Sequence, residues 1–133
     1  MITTTCQLGL GEVRITHPES QKILTSSDSS ILLLSSVDKT VYPGDAAHIL
    51  TGWQIQITGR MFFVVVDSKT HRSHTMRVLN HWGQFNWAYN GEIYIILMND
   101  TSKTQYVNTG DIVAEGILCF PFGSRCVGPQ HVI

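Results

Sequence analysis

The stretch Thr51-Gly52-Trp53-Gln54-Ile55-Gln56-Ile57-Thr58 decides the fold class. Trp53, Ile55 and Ile57 alternate with Gln54, Gln56 and Thr58. Side chains alternate faces along a strand, so this spacing predicts a strand with one dry and one wet face. Thr51-Gly52 reads as a turn that closes an earlier strand over 46–50, and Gly59 ends the later one. Downstream, the unbroken apolar run 61–66 predicts a strand covered on both faces.

Further out the same signals recur. Val13 and Ile15 alternate with polar neighbours in a short N-terminal strand, and Ile31 to Leu34 is an apolar run between serines. Asn90-Gly91 predicts a hairpin, because both residue types tolerate positive φ; its strands would be 84–89 and 92–98. A polar turn at 99–103, a strand at 105–107, a turn at 108–111 and a final strand at 112–120 complete the series. No window repeats apolar positions at the helical period. Many short strands separated by turns predict a single all-β domain, an antiparallel β-barrel or jelly roll, over 1–120. Residues 121–133, with Gly123, Gly128 and Pro129, predict an extended or mobile tail.

Composition narrows the function. The 133 residues are 43% hydrophobic and 14% charged, with 9 basic and 10 acidic side chains and a formal charge of −1. No basic stripe is present, so nucleic acid is not an expected ligand. No apolar run reaches the roughly 18 residues of a membrane span, and no secretory signal pattern precedes Arg14. Cys6, Cys119 and Cys126 make an odd set without metal-knuckle spacing, which predicts free thiols in a reducing, intracellular compartment. Asn99-Asp100-Thr101 fits a glycosylation triplet that would stay unmodified there. His71 and His74 stand three apart, with His81 beyond, in a polar stretch (67–80) read as a solvated surface loop or a short helical turn rather than a zinc site. No metal is expected.

The order of these signals resembles the trimeric dUTP pyrophosphatases (dUTPases) over about residues 13–120. The matching pieces are Pro43-Gly44, then Thr51-Gly52 with its alternating strand, then Tyr89-Asn90-Gly91-Glu92-Ile93 running to Asn99, then Gly110-Asp111-Ile112-Val113-Ala114-Glu115. The resemblance implies a homotrimer with a dUTPase-like β-barrel. It also locates the family's chemistry on this chain. The aspartate that organises magnesium falls on Leu32. The phosphate-gripping Arg-Ser pair falls on Asp67-Ser68. The aspartate that activates water falls on Asn86, whose neutral amide cannot accept the proton near neutral pH. Tyr89 keeps the family's place against the deoxyribose. The phosphate-side glutamine falls on Glu115. Of the glycine-rich closing motif, Phe122-Gly123-Ser124-Arg125 is a faint echo.

Asn86, Ser68, Asp67 and Glu115 are therefore vestigial catalytic positions. Tyr89, Ser68, Gly83 and Asn86 are the nucleotide-binding set if any nucleotide binds. The pattern resembles the viral, adenovirus early-region-four first-reading-frame type of dUTPase-like protein. That likeness implies an early viral protein without cofactor, acting on host signalling proteins in the host cytoplasm and nucleus. Candidate partner contacts are the aromatics Trp82, Phe85 and Trp87, and the C-terminal His131-Val132-Ile133. The last could add as a strand to a PDZ-type groove, although His131 stands where such ligands carry Ser or Thr. The alternatives are an active, divergent, magnesium-dependent dUTP hydrolase and a carbohydrate-binding module built on the aromatics.

Overall fold

The computed structural model describes residues 2–8, 11–17, 31–58, 62–68, 74–80, 85, 90–119 and 126–127. Every regular element among them is a strand. Five strands form one antiparallel sheet in the order β1 (Ile2–Leu8), β2 (Gly11–His17), β5 (Ala46–Thr58), β8 (Asn90–Met98) and β7 (Arg77–Val78). In the second sheet β10 (Ile112–Cys119) is central. It pairs with β3 (Ile31–Leu34), β6 (Phe62–Val66) and β11 (Cys126–Val127). The short strands β4 (Lys39–Val41) and β9 (Gln105–Val107) pair with each other. No helix among the described residues is long and apolar enough to cross a membrane.

The inward residues of both large sheets form one core. Val13, Ile15, Ile49, Trp53, Ile55, Ile93, Ile95 and Leu97 come from the first sheet. Ile31, Leu33, Phe63, Val65 and Val113 come from the second. Strict alternation along β5 places Ala47, Ile49, Thr51, Trp53, Ile55 and Ile57 inside, as the quoted stretch predicts. β6 is covered on both faces: Phe63, Val64 and Val65 are all buried. β10 admits no side chain at Gly116, because a Cβ there would stand 2.0 Å from Cζ of Phe63.

Two turn predictions need correction. Thr51-Gly52 does not end a strand. β5 runs through it, and the register against β8 shifts between Leu50 and Gln54. The shift is a β-bulge, with Gly52 at φ 75°, a conformation that costs glycine little. Thr51 holds it from inside: its Oγ1 donates to the Ile93 carbonyl at 2.6 Å and accepts from the Trp53 N–H at 3.2 Å. Asn90-Gly91 is not a hairpin turn either. It opens β8, with Asn90 opposite Gln56 and Gly91 opposite Ile55. Of the predicted 84–89 strand only Phe85 is described; it makes a single bridge to Phe63. The tail contributes Cys126–Val127, paired to the end of β10, and the rest of 121–133 lies outside the described residues.

Candidate functional site

The pieces that carry the family resemblance are scaffold. Pro43-Gly44 are the central residues of a turn closed by the Asp45 N–H donating to the Tyr42 carbonyl at 3.0 Å, with Gly44 at φ 83°. A positive φ at the third position defines a type II turn. Asn99, with no exposed surface, is a hub. Its Nδ2 donates to the carbonyls of Val41 (2.9 Å) and Lys103 (2.8 Å). Its Oδ1 accepts from Thr101 N, Thr101 Oγ1 and Gln105 Nε2. An amide so engaged cannot carry a glycan. Gly110, at φ 93°, donates to the Ser35 carbonyl, and Asp111 Oδ2 accepts from the Asn108 N–H at 2.8 Å. These residues bend and tie the chain.

Of the positions assigned to chemistry, Leu32 and Glu115 are neighbours on the second sheet. Glu115 lies directly opposite Leu32 on one side and Val66 on the other. Directly paired residues project to the same face, so Leu32, Glu115 and Val66 form one row across β3, β10 and β6; Asp67 and Ser68 follow Val66 along the chain, past the end of β6. Leu32 is only 7% exposed; Glu115 and Val66 are half-buried. The row offers a single carboxylate between two apolar side chains.

Asp67 and Ser68 do structural work. Asp67 Oδ1 accepts from the Val78 N–H at 2.9 Å, which ties the end of β6 to β7 in the other sheet. Ser68 has no exposed surface. His74 overturns the solvated-loop reading at its own position. It is buried, its Nδ1 accepts from the Met76 N–H at 3.0 Å, and Nε2, which therefore holds the ring proton, donates to the Val113 carbonyl at 3.2 Å. Phe85 is likewise corrected from partner contact to core. It is fully buried, edge-on to Phe63 (centroids 6.3 Å apart) and to Tyr94 (5.6 Å). Trp82, Gly83, Asn86, Trp87, Tyr89, His131, Val132 and Ile133 lie outside the described residues, as do His71 and His81. No group of three or more His, Cys, Asp or Glu suited to a metal ion occurs among the described residues.

This strand order and these turns can be set against known proteins. An EIAV dUTPase superposes with a TM-score of 0.68 at 18% identity, covering 85% of this chain and 92% of its own. The fold is that of the dUTPases. Two staphylococcal phage enzymes agree. A mutant phi11 dUTPase, whose structure concerns the coordination of a structural Mg(II) ion, has a TM-score of 0.69 at 14% identity over 85% of this chain and 93% of its own. The bacteriophage 80alpha dUTPase, which belongs to phage dUTPases that control transfer of virulence genes by a proto-oncogenic G protein-like mechanism, has 0.67 at 12% identity over 85% and 92%. In sequence, a deoxyuridine 5'-triphosphate nucleotidohydrolase of Clostridium tetani is 32% identical over 93 residues, 69% of this chain. The match spans 64% of that relative's length, short of two thirds. No family model matches.

Two features escape a reading of the sequence. The outer face of the five-stranded sheet is divided. Around β2 and the second half of β5 it is polar, with a cavity of about 290 Å³ lined by Glu12, Arg14, Gln56 and Thr58, in which Arg14 is ion-paired to Glu12. Around the first half of β5 and β8, and at Leu79 just past β7, it is mostly apolar, with Arg77 of β7 opposite Met98 at its edge. Leu50 (43% exposed) lies opposite Tyr94, and Ile96 stands between His48 and Leu79 (47% exposed). Met98 continues the patch opposite Ala46. Tyr94 also stacks on His48, 5.3 Å between centroids and 6° from parallel. The alternation of β8 carried part of this signal: its outward residues, Tyr94, Ile96 and Met98, are as apolar as its inward ones.

Proposed function

We propose that this dUTPase-like chain lacks pyrophosphatase activity and works as a homotrimeric protein-interaction module, of viral origin and directed at host signalling proteins inside the cell. The observation that carries this reading is the Leu32–Glu115–Val66 row. A triphosphate site needs cationic or N–H donors aimed at the phosphates. The row presents an anion instead, which repels one. Magnesium takes oxygen ligands in octahedral geometry. The leucine at the magnesium-organising position has none, and one carboxylate flanked by Leu32 and Val66 does not fit the ion. Asn86 adds a neutral amide where a base belongs. The 80alpha enzyme supports the wider idea, since a dUTPase fold there also controls gene transfer.

The homotrimer is supported by the apolar half of the outer sheet face. It offers contiguous side chains from β5, β8 and Leu79 just past β7, of the kind that marks a protein contact. Protein partners then replace nucleotide as the ligand class, and the cytoplasm and nucleus of the host are where they would be met.

The Clostridium tetani relative favours a second reading, an active divergent enzyme converting dUTP to dUMP and pyrophosphate with magnesium. Isothermal titration with a non-hydrolysable dUTP analogue and magnesium separates the two. The expected result is no detectable heat at micromolar protein, and no pyrophosphate release from dUTP. Micromolar binding with turnover would overturn the interaction-module reading and establish the enzyme.

A further inference from the structure

The pairing of β10 with β11 brings two cysteines into backbone register. β10 and β11 are antiparallel, with Leu118 opposite Val127 and Cys119 opposite Cys126. Directly opposed residues of an antiparallel pair have α-carbons about 4.5–5.5 Å apart. A disulfide requires about 4.4–6.8 Å. The third cysteine is placed elsewhere: Cys6 lies in β1 opposite Val13, in the other sheet. β11 is two residues long, and so short a ladder is marginal by itself.

We infer that Cys119 and Cys126 are a redox-modification site, a dithiol that closes to an intramolecular disulfide on meeting a low-molecular-weight disulfide such as oxidised glutathione. One thiolate attacks the glutathione disulfide, expels one glutathione thiolate and leaves a mixed disulfide. The second thiolate attacks the protein sulfur of that mixed disulfide and expels the other glutathione. Two protein thiols lose two protons and two electrons in all, and one small disulfide becomes two thiols. The product fixes β11 on β10 covalently. Redox state then decides whether the chain beyond Cys126 starts from an anchored strand or from a two-residue ladder free to fray. The inference stands whether or not the protein hydrolyses nucleotides.

Trypsin makes the test direct. Its cleavage sites leave the three cysteines in three different peptides, residues 1–14, 104–125 and 126–133. The full-length native protein is equilibrated with excess oxidised glutathione. Free thiols are then alkylated, and the protein is digested and analysed by mass spectrometry without reductant. The expected product is peptide 104–125 joined to 126–133, with peptide 1–14 alkylated and the protein monomer mass lower by two hydrogens. A parallel hydrogen-exchange measurement should show slower exchange at Val127 in the oxidised form. Cys119→Ser abolishes both changes. Peptide 126–133 recovered alkylated from the wild type, joined to 1–14, or linked between chains would overturn the assignment.

Discussion

Asn99 shows how a single side chain holds the loops of this fold at one point. Its amide bonds reach β4 at Val41 and, within the 99–103 turn, Thr101 and Lys103, and its own N–H donates to the Asp45 carbonyl. All of this is buried, where an unmet polar group costs about 1–3 kcal/mol. Asn99→Ala should therefore lose about 2–3 kcal/mol in urea unfolding. Asn99→Asp should lose at least as much near neutral pH, because it turns the two-proton donor into an acceptor facing two carbonyls. The gap between the variants should narrow in acid, where a neutral carboxyl donates one bond again. The sequence offered Asn99 only as a motif match and a glycosylation triplet. Its role depends on Val41 being brought to it from 58 residues away, which no local pattern encodes. The same limit applies to His74 and Asp67. Both were read as surface because their neighbours are polar, yet each turns a side-chain atom to a buried backbone group. Asn80 does the same at the end of β7: its Nδ2 donates to the Tyr94 carbonyl and its Oδ1 accepts from the Ile96 N–H, imitating one more ladder residue beside β8.

At the scale of elements, strands were legible wherever alternation or burial on both faces left a periodic mark. β2, β3, β6, β9 and β10 fall within a few residues of where the pattern places them. β1 was missed because Thr3, Thr4 and Thr5 leave no apolar alternation to read, and β4 because only Val41 of its three residues is buried. The glycine signals were real but ambiguous. A residue that permits positive φ marks a turn or a bulge equally well, and only the partner strand decides between them. At Gly52 the partner is β8, whose backbone stays paired on both sides of the shift. The bulge also marks where the outer face of β5 changes from His48 and Leu50 to Gln54 and Gln56. Because an L-residue in the left-handed region costs about 1–2 kcal/mol, Gly52→Ala should lower stability by roughly that amount. Gly52→Asn should cost less, since asparagine visits this region more readily. Gln54→Ala on the wet face should be nearly neutral. Chemical denaturation of the three variants checks the order, and equal losses at Gly52→Ala and Gln54→Ala would remove the conformational explanation.

At the scale of the whole molecule, sequence and structure agree on the scaffold and divide over the site. Turn glycines, Asn99 and the core alternation are the residues on which the sequence resemblance to dUTPases rests, and all of them shape the fold, so that resemblance argues for architecture more than for chemistry. What the molecule contacts is better argued from the outer face of the five-stranded sheet. A sheet that needs only one dry face has no use for Leu50, Leu79, Ile96 and Met98 on its other side. Leu50 and Leu79 are each more than 40% exposed in the single chain, where a hydrocarbon side chain gains nothing until another surface covers it. A second copy offers a surface of matching character, and closed rings of identical subunits are a common way to bury such a face. Sedimentation equilibrium should then give a trimer for the wild type. Leu79→Lys should shift it to monomer with an unchanged circular dichroism spectrum, because the substituted side chain leaves the core intact. Arg77→Ala, two residues earlier on β7 but ion-paired to Asp100 at 2.7 Å, should stay trimeric. A monomeric wild type would remove the trimer. A Leu79→Lys protein that stays trimeric would place the subunit contact on another face and leave this patch to a different protein.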